Sequence, residues 1–172
     1  LFLPGRCGSC GERISVVYPL VELLTAFLFW LAVHILGWGW QTPLVFAFLS
    51  AMVVITFIDL EFQLIPDRIS LPGTLVGLAA SFLLTDPFSS FQTVGILNSL
   101  AGLLLGGGLF FIIASVSRGG MGGGDVKMMA MVGAFMGWKA VLLTTFIGSL
   151  TGSMVGIFLI IAKGGTRKTK IP

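Results

Sequence analysis

Two aspartates in an otherwise apolar chain are the residues best placed to do chemistry. Asp125 ends a run of three glycines within the stretch RGGMGGGDVK, Arg118 to Lys127. Asp59 closes an uncharged apolar run that begins at Pro43. An ionisable group at membrane depth is costly and marks a functional site unless a structural role accounts for it. Two carboxylates a few Å apart do not readily both ionise, so one keeps its proton while the other deprotonates a shared water. The ionised member then acts as general base on that water, and the protonated member polarises a peptide carbonyl and helps the amine leave. That is aspartic protease chemistry. The same pair could instead line an ion or proton pathway. Spacing along the chain does not choose between them, because contact between positions 59 and 125 depends on helix packing.

The remaining polar candidates have ordinary explanations beside functional ones. Asp67 follows Pro66 and adjoins Arg68, which suits an N-cap for a helix together with an interfacial ion pair. Glu22, near the start of the first apolar run, suits an acid favoured by the helix dipole. Asp67, Glu22 and Lys127 are auxiliary candidates beside the aspartate pair. His34 fits a packing or interfacial role. Cys7 and Cys10, in CGSC, are half of a zinc site, a redox pair or neither, since tetrahedral zinc needs two further ligands. Gly122, Gly123 and Gly124 lack a Cβ, so they reach positive φ and admit a neighbouring chain closely. The plainer reading of a glycine run is a flexible connecting turn.

The elements that must position these groups are membrane helices. Hydrophobic residues make up 56% of the 172, charged residues 10%, and the mean hydropathy is +1.04, all far outside the soluble globular range. Continuous apolar stretches without alternation disfavour a β-barrel. The expected fold is all-α, a polytopic transmembrane bundle of about six helices, at about 20 apolar residues per span. A cysteine-containing cytoplasmic segment occupies 1–16, the membrane-embedded domain 17–162, and a basic cytoplasmic tail 163–172. The spans are Tyr18 to Trp38, Pro43 to Asp59, Ile69 to Thr85, Thr93 to Ser117, a short Met128 to Trp138, and Ala140 to Ala162. Opening on Leu1 and stopping at Pro172, the chain reads as part of a longer one.

With the N-terminus cytoplasmic and the segments crossing alternately, every lysine and arginine except Lys139 falls inside, as the positive-inside rule requires. The basic residues are thus topogenic and no nucleic-acid partner is expected. Met128 to Trp138 would cover only about 17 Å of a core about 30 Å thick. It therefore serves as a half-helix, entered from a glycine loop that dips into the membrane and is sheltered by protein or water. Gly102 and Gly106, and Gly148, Gly152 and Gly156, recur every four residues and read as close-packing helix seams.

Three stretches, FIDLEFQLIPDRISLPG (Phe57 to Gly73), MGGGDVKMMAMVGAFMGW (Met121 to Trp138) and YPLVELLTA (Tyr18 to Ala26), together resemble the type IV prepilin peptidases, bacterial inner-membrane aspartic proteases of the Gly-x-Gly-Asp class. The resemblance implies Asp59 and Asp125 as the catalytic pair, with Gly122, Gly123 and Gly124 forming the motif that carries the second. It implies a multi-pass bacterial inner-membrane location, with the bilayer and prepilins or type II secretion pseudopilins as partners, whose short basic leader is cut after a glycine at the cytoplasmic face. Proteolysis would need no cofactor. Longer family members carry two Cys-x-x-Cys pairs that bind zinc, and many methylate the new N-terminus with S-adenosylmethionine. Here Cys7 and Cys10 resemble the second pair only, which leaves methylation open for this chain. The competing class, a cation or proton transport module using the same aspartates, would be expected to show internal repeats or paired broken helices. One glycine-rich break and no repeat are seen. A presenilin-like or signal-peptide-peptidase enzyme is disfavoured by the absence of its other motifs.

Overall fold

The computed structural model describes residues 11–13, 15–86, 88–89, 92–117 and 121–163, without the side chains of 159, 160, 162 and 163. Among these residues the regular structure is five α-helices: α1 (Val17–Leu36), α2 (Thr42–Phe62), α3 (Asp67–Ala80), α4 (Ile96–Val116) and α5 (Gly123–Lys163). Inside α5, Gly137 has φ 78° and ψ 178°, so the helix is broken there into two. Counting its halves separately gives the six helices expected. The half-helix starts five residues earlier than the apolar pattern suggests, at Gly123 rather than Met128, because the glycines join its first turn. Cys7 and Cys10, Arg118 and the tail beyond Lys163 lie outside the described residues.

Among the described residues four helices are long and apolar enough to cross a membrane: α1, α2, α4, and α5 from Gly123 to Phe158. Helix α3, with 14 residues, would reach about 21 Å. Large apolar side chains such as Leu97, Leu104, Phe111 and Phe158 stand well exposed. In water such a surface would be an aggregation hazard; in lipid it is the outer face of a bundle. This is a multi-pass helical membrane protein.

The chain divides into two compact units, with the division between Val53 and Val54 inside α2. The first holds α1 and the opening turns of α2. Gly37, at φ 74°, ends α1 in a conformation that costs other residues more, and its N–H donates to the Val33 carbonyl at 2.9 Å. The Thr42 hydroxyl accepts from Gly39 N–H at 3.0 Å and closes the turn into α2. Phe29 and Phe46 stack with ring centroids 3.9 Å apart, and His34 stacks on Trp30, a packing role of the expected kind. Glu22 lies beyond the first turn of α1, which holds no acid. A dipole role for it is therefore not supported, since that effect fades within one turn.

The second unit is organised around the first half of α5, which packs against both α3 and α4. The seam expected at Gly102 and Gly106 is present. A Cβ on Gly102 would fall 2.3 Å from the Gly133 carbonyl oxygen, and one on Gly106 2.3 Å from that of Met129. Backbones this close exclude any side chain. The Ser99 hydroxyl, fully buried on α4, donates to the Ala134 carbonyl across the same seam. On the α3 side Gly77 lies under Phe135 and the Ala134 backbone. Two of the three glycines of the second expected seam have no close neighbour among the described residues: a Cβ on Gly148 or Gly152 would meet nothing within 4 Å. Those glycines sit beyond the Gly137 break, on a half of α5 that is largely exposed.

Candidate active site

Asp59 lies in the last turn of α2, and that helix stops one turn later. Gln63 N–H donates to the Asp59 carbonyl at 2.8 Å, and Gln63 itself turns to φ 52°. Leu64, Ile65 and Pro66 then run without regular structure to α3. Asp67 is the first residue of α3, not its cap: Pro66 holds the N-cap position, with no side-chain cap bond. Proline suits this boundary because its φ is fixed and it has no N–H to leave unpaired. The Pro66 carbonyl accepts from the N–H groups of Ile69 and Ser70.

Asp125 is the third residue of α5, where an acid is favoured by the helix dipole. Its N–H donates to the Gly122 carbonyl at 3.2 Å, and its carboxylate lies within electrostatic reach of Asp59. Gly122, Gly123 and Gly124 all keep ordinary φ, so positive φ is not why they are glycines. Close approach is, and it falls on one of them. A Cβ on Gly124 would lie 2.7 Å from the Ile65 Cβ, whereas one on Gly123 would meet nothing within 4 Å. The buried Ile65 thus seats the start of α5 against the chain leaving Asp59.

The result is one cavity of about 570 Å³ whose lining includes Asp59, Gln63, Asp67, the three glycines and Asp125. Beside it, Lys127 Nζ donates to both carboxylate oxygens of Asp67, at 2.7 and 2.6 Å. The expected Asp67–Arg68 pairing is thus replaced by a bridge from α3 to α5. Glu22 belongs to the other unit and stands exposed on α1. Gln63 and Ile65 were not legible as site residues: both sit in a stretch that reads as a polar connection broken by Pro66, and no residue-type signal marks the turn at Gln63.

With side chains 40% and 54% exposed, the Lys127–Asp67 bridge contributes at most about 1 kcal/mol. Asp67→Asn is expected to lower activity only about two- to fivefold by loosening the seat of α5. The swapped pair Asp67→Lys with Lys127→Asp should recover most of it. Rates of the two single variants and the double variant under one set of conditions check this.

The fold and site thus define a multi-pass helical membrane domain in which aspartates from three helices, Asp59, Asp67 and Asp125, converge on one cavity. Comparison with known proteins agrees. Residues 46–157 match the type IV leader peptidase family, and residues 1–36 match the bacterial peptidase A24 N-terminal domain. The chain belongs to the type IV leader peptidase family. It is 36% identical over its whole length to a prepilin leader peptidase/N-methyltransferase of Aeromonas hydrophila, covering 59% of that protein. Relatives of the same name in Bacillus subtilis (35%, all of this chain, 66% of the relative) and Myxococcus xanthus (36%, 95% of this chain, 48% of the relative) are similar to it. The chain thus spans between 48% and 66% of the length of these curated relatives. No solved structure matches it.

Proposed function

We propose that the protein is an aspartic endopeptidase that removes the short basic leader of type IV prepilins or type II secretion pseudopilins at the cytoplasmic face of the bacterial inner membrane. The observation that carries this is the shared cavity of Asp59 and Asp125. Water held between the carboxylates loses a proton to the ionised one as its oxygen attacks the scissile carbonyl carbon. The protonated one gives its proton to the carbonyl oxygen, forming a tetrahedral diol. Collapse of the diol breaks the C–N bond as the carboxyl proton passes to the leaving nitrogen and a diol hydroxyl gives its proton to the ionised carboxylate, so the dyad again shares one proton. Family membership does not favour the transport alternative. Co-expression with candidate prepilins, scored for leader removal on a gel, tests the proposal: a shortened pilin is expected, and unprocessed prepilin throughout would refute it.

Cys7 and Cys10 are two of the four ligands a structural zinc would take. Cys7 and Cys10 lie outside the described residues, and no step of the cleavage above runs through a metal. Transfer of a methyl group from S-adenosylmethionine, suggested by the relatives' names, is likewise left out of the mechanism.

The cytoplasmic placement is tested by labelling. With Cys7 and Cys10 replaced by serine, single cysteines at Gln63 and Met121 are expected to resist an impermeant thiol reagent added from outside, and one at Lys139 to react. Reaction at Gln63 and Met121 from outside would reverse the orientation.

A further inference from the structure

Gln63 is the one non-glycine residue with positive φ among the described residues. A helix stop of this kind usually falls to glycine or asparagine, because a Cβ is penalised there. A strained position that lines a functional cavity points to a role for the side chain that keeps it. The Gln63 side chain is exposed in the cavity one turn beyond Asp59, and its carboxamide has no hydrogen-bond partner among the described residues. The next two residues repeat the pattern: the backbone N–H groups of Leu64 and Ile65 make no hydrogen bond to another described residue. Ile65 nevertheless holds this link in place, since its side chain is buried against Gly124.

A fixed length of chain with free backbone groups beside a residue that both donates and accepts is suited to an extended peptide. Main-chain pairing of this kind supplies affinity independent of the side chains being read. Resting on the reading of the cavity as the peptidase site, we propose that Gln63, with the backbone of Leu64 and Ile65, binds the main chain of the substrate beside the scissile bond. Gln63 is thus a substrate-binding residue, whereas Lys127 and Asp67 position the helix.

The test exploits the strain. Gln63→Gly relieves the backbone and removes the carboxamide; Gln63→Asn relieves it while keeping a shorter one. In detergent, with a purified type IV prepilin bearing its leader as probe, both variants should melt at or above the wild-type temperature. Gln63→Gly should raise KM about tenfold, the worth of one or two lost hydrogen bonds, with kcat within about twofold. Gln63→Asn should fall between it and wild type, and reads the same KM should the glycine variant not fold. An unchanged KM in the variants would reduce Gln63 to a helix stop and overturn the proposal. So would a fall in kcat at unchanged KM, which would make Gln63 a positioning residue. Failure of the wild type to cleave any prepilin would instead sink the peptidase reading beneath it.

Discussion

Asp59→Asn and Asp125→Asn are each expected to abolish leader cleavage, by at least about a thousandfold, while expression and membrane insertion stay normal. An amide cannot act as the base and cannot hold the proton that two carboxylates share, so loss of either member removes general acid–base catalysis. The structure gives little reason for a stability loss. The Asp59 side chain makes no hydrogen bond or ion pair among the described residues and stands exposed. The Asp125 side chain has no ion pair among the described residues that an asparagine would lose. Cleavage of a purified prepilin in detergent, with thermal melting of the same samples, separates the two effects. Substantial cleavage by either variant would remove the dyad. Full loss in Asp67→Asn with activity kept in Asp59→Asn would move the first catalytic residue to the start of α3.

Gly124→Ala should be nearly as damaging, and Gly123→Ala should not. The added methyl at 124 would sit 2.7 Å from the Ile65 Cβ and 3.3 Å from its Cγ1. The first of these atoms is fixed to the backbone and cannot swing away, so α5 must shift, at a cost of about 1–3 kcal/mol. The larger consequence is geometric. Asp125 is the next residue, and a displacement of about 1 Å in a catalytic group costs on the order of a hundredfold in rate. At Gly123 the methyl meets open space, and alanine in a helical turn is more stable than glycine by about 0.5–1 kcal/mol. Paired rate and melting measurements on the two variants check the contrast. Equal loss at both positions would mean that the loop needs flexibility at every glycine, not clearance at one.

That contrast also shows how far the chain could be read before its structure. Long apolar runs fix α1, α2 and α4 to within a few residues, because only a helix satisfies its own backbone in lipid. The aspartates stood out because charge is rare in such runs. What the sequence does not carry is which glycine is crowded by what: Gly102, Gly106 and Gly124 have partners far away in the chain, whereas Gly148 and Gly152, identical in spacing, have none. The break at Gly137 falls beside the expected end of the short helix at Trp138, but what it packs against was hidden. It opposes Asn98, which lies across the α4–α5 seam and is not a sequence neighbour. Asp67 was read with its adjacent arginine, but its partner is Lys127, supplied by the fold. Local patterns gave the elements; tertiary contacts decided which residues share the cavity.

The central claim is that the glycine-led start of α5 brings Asp125 to Asp59 in the membrane. With Cys7 and Cys10 replaced by serine, cysteines placed at 59 and 125 can be treated with a short bifunctional thiol reagent in intact membranes. Cross-linked product is then read after cleavage of the chain between them. Efficient joining is expected for this pair, falling sharply when Gly124→Ala is added and absent for a control pair at 59 and 148. Two cysteines that are each modified but never joined would contradict the shared site.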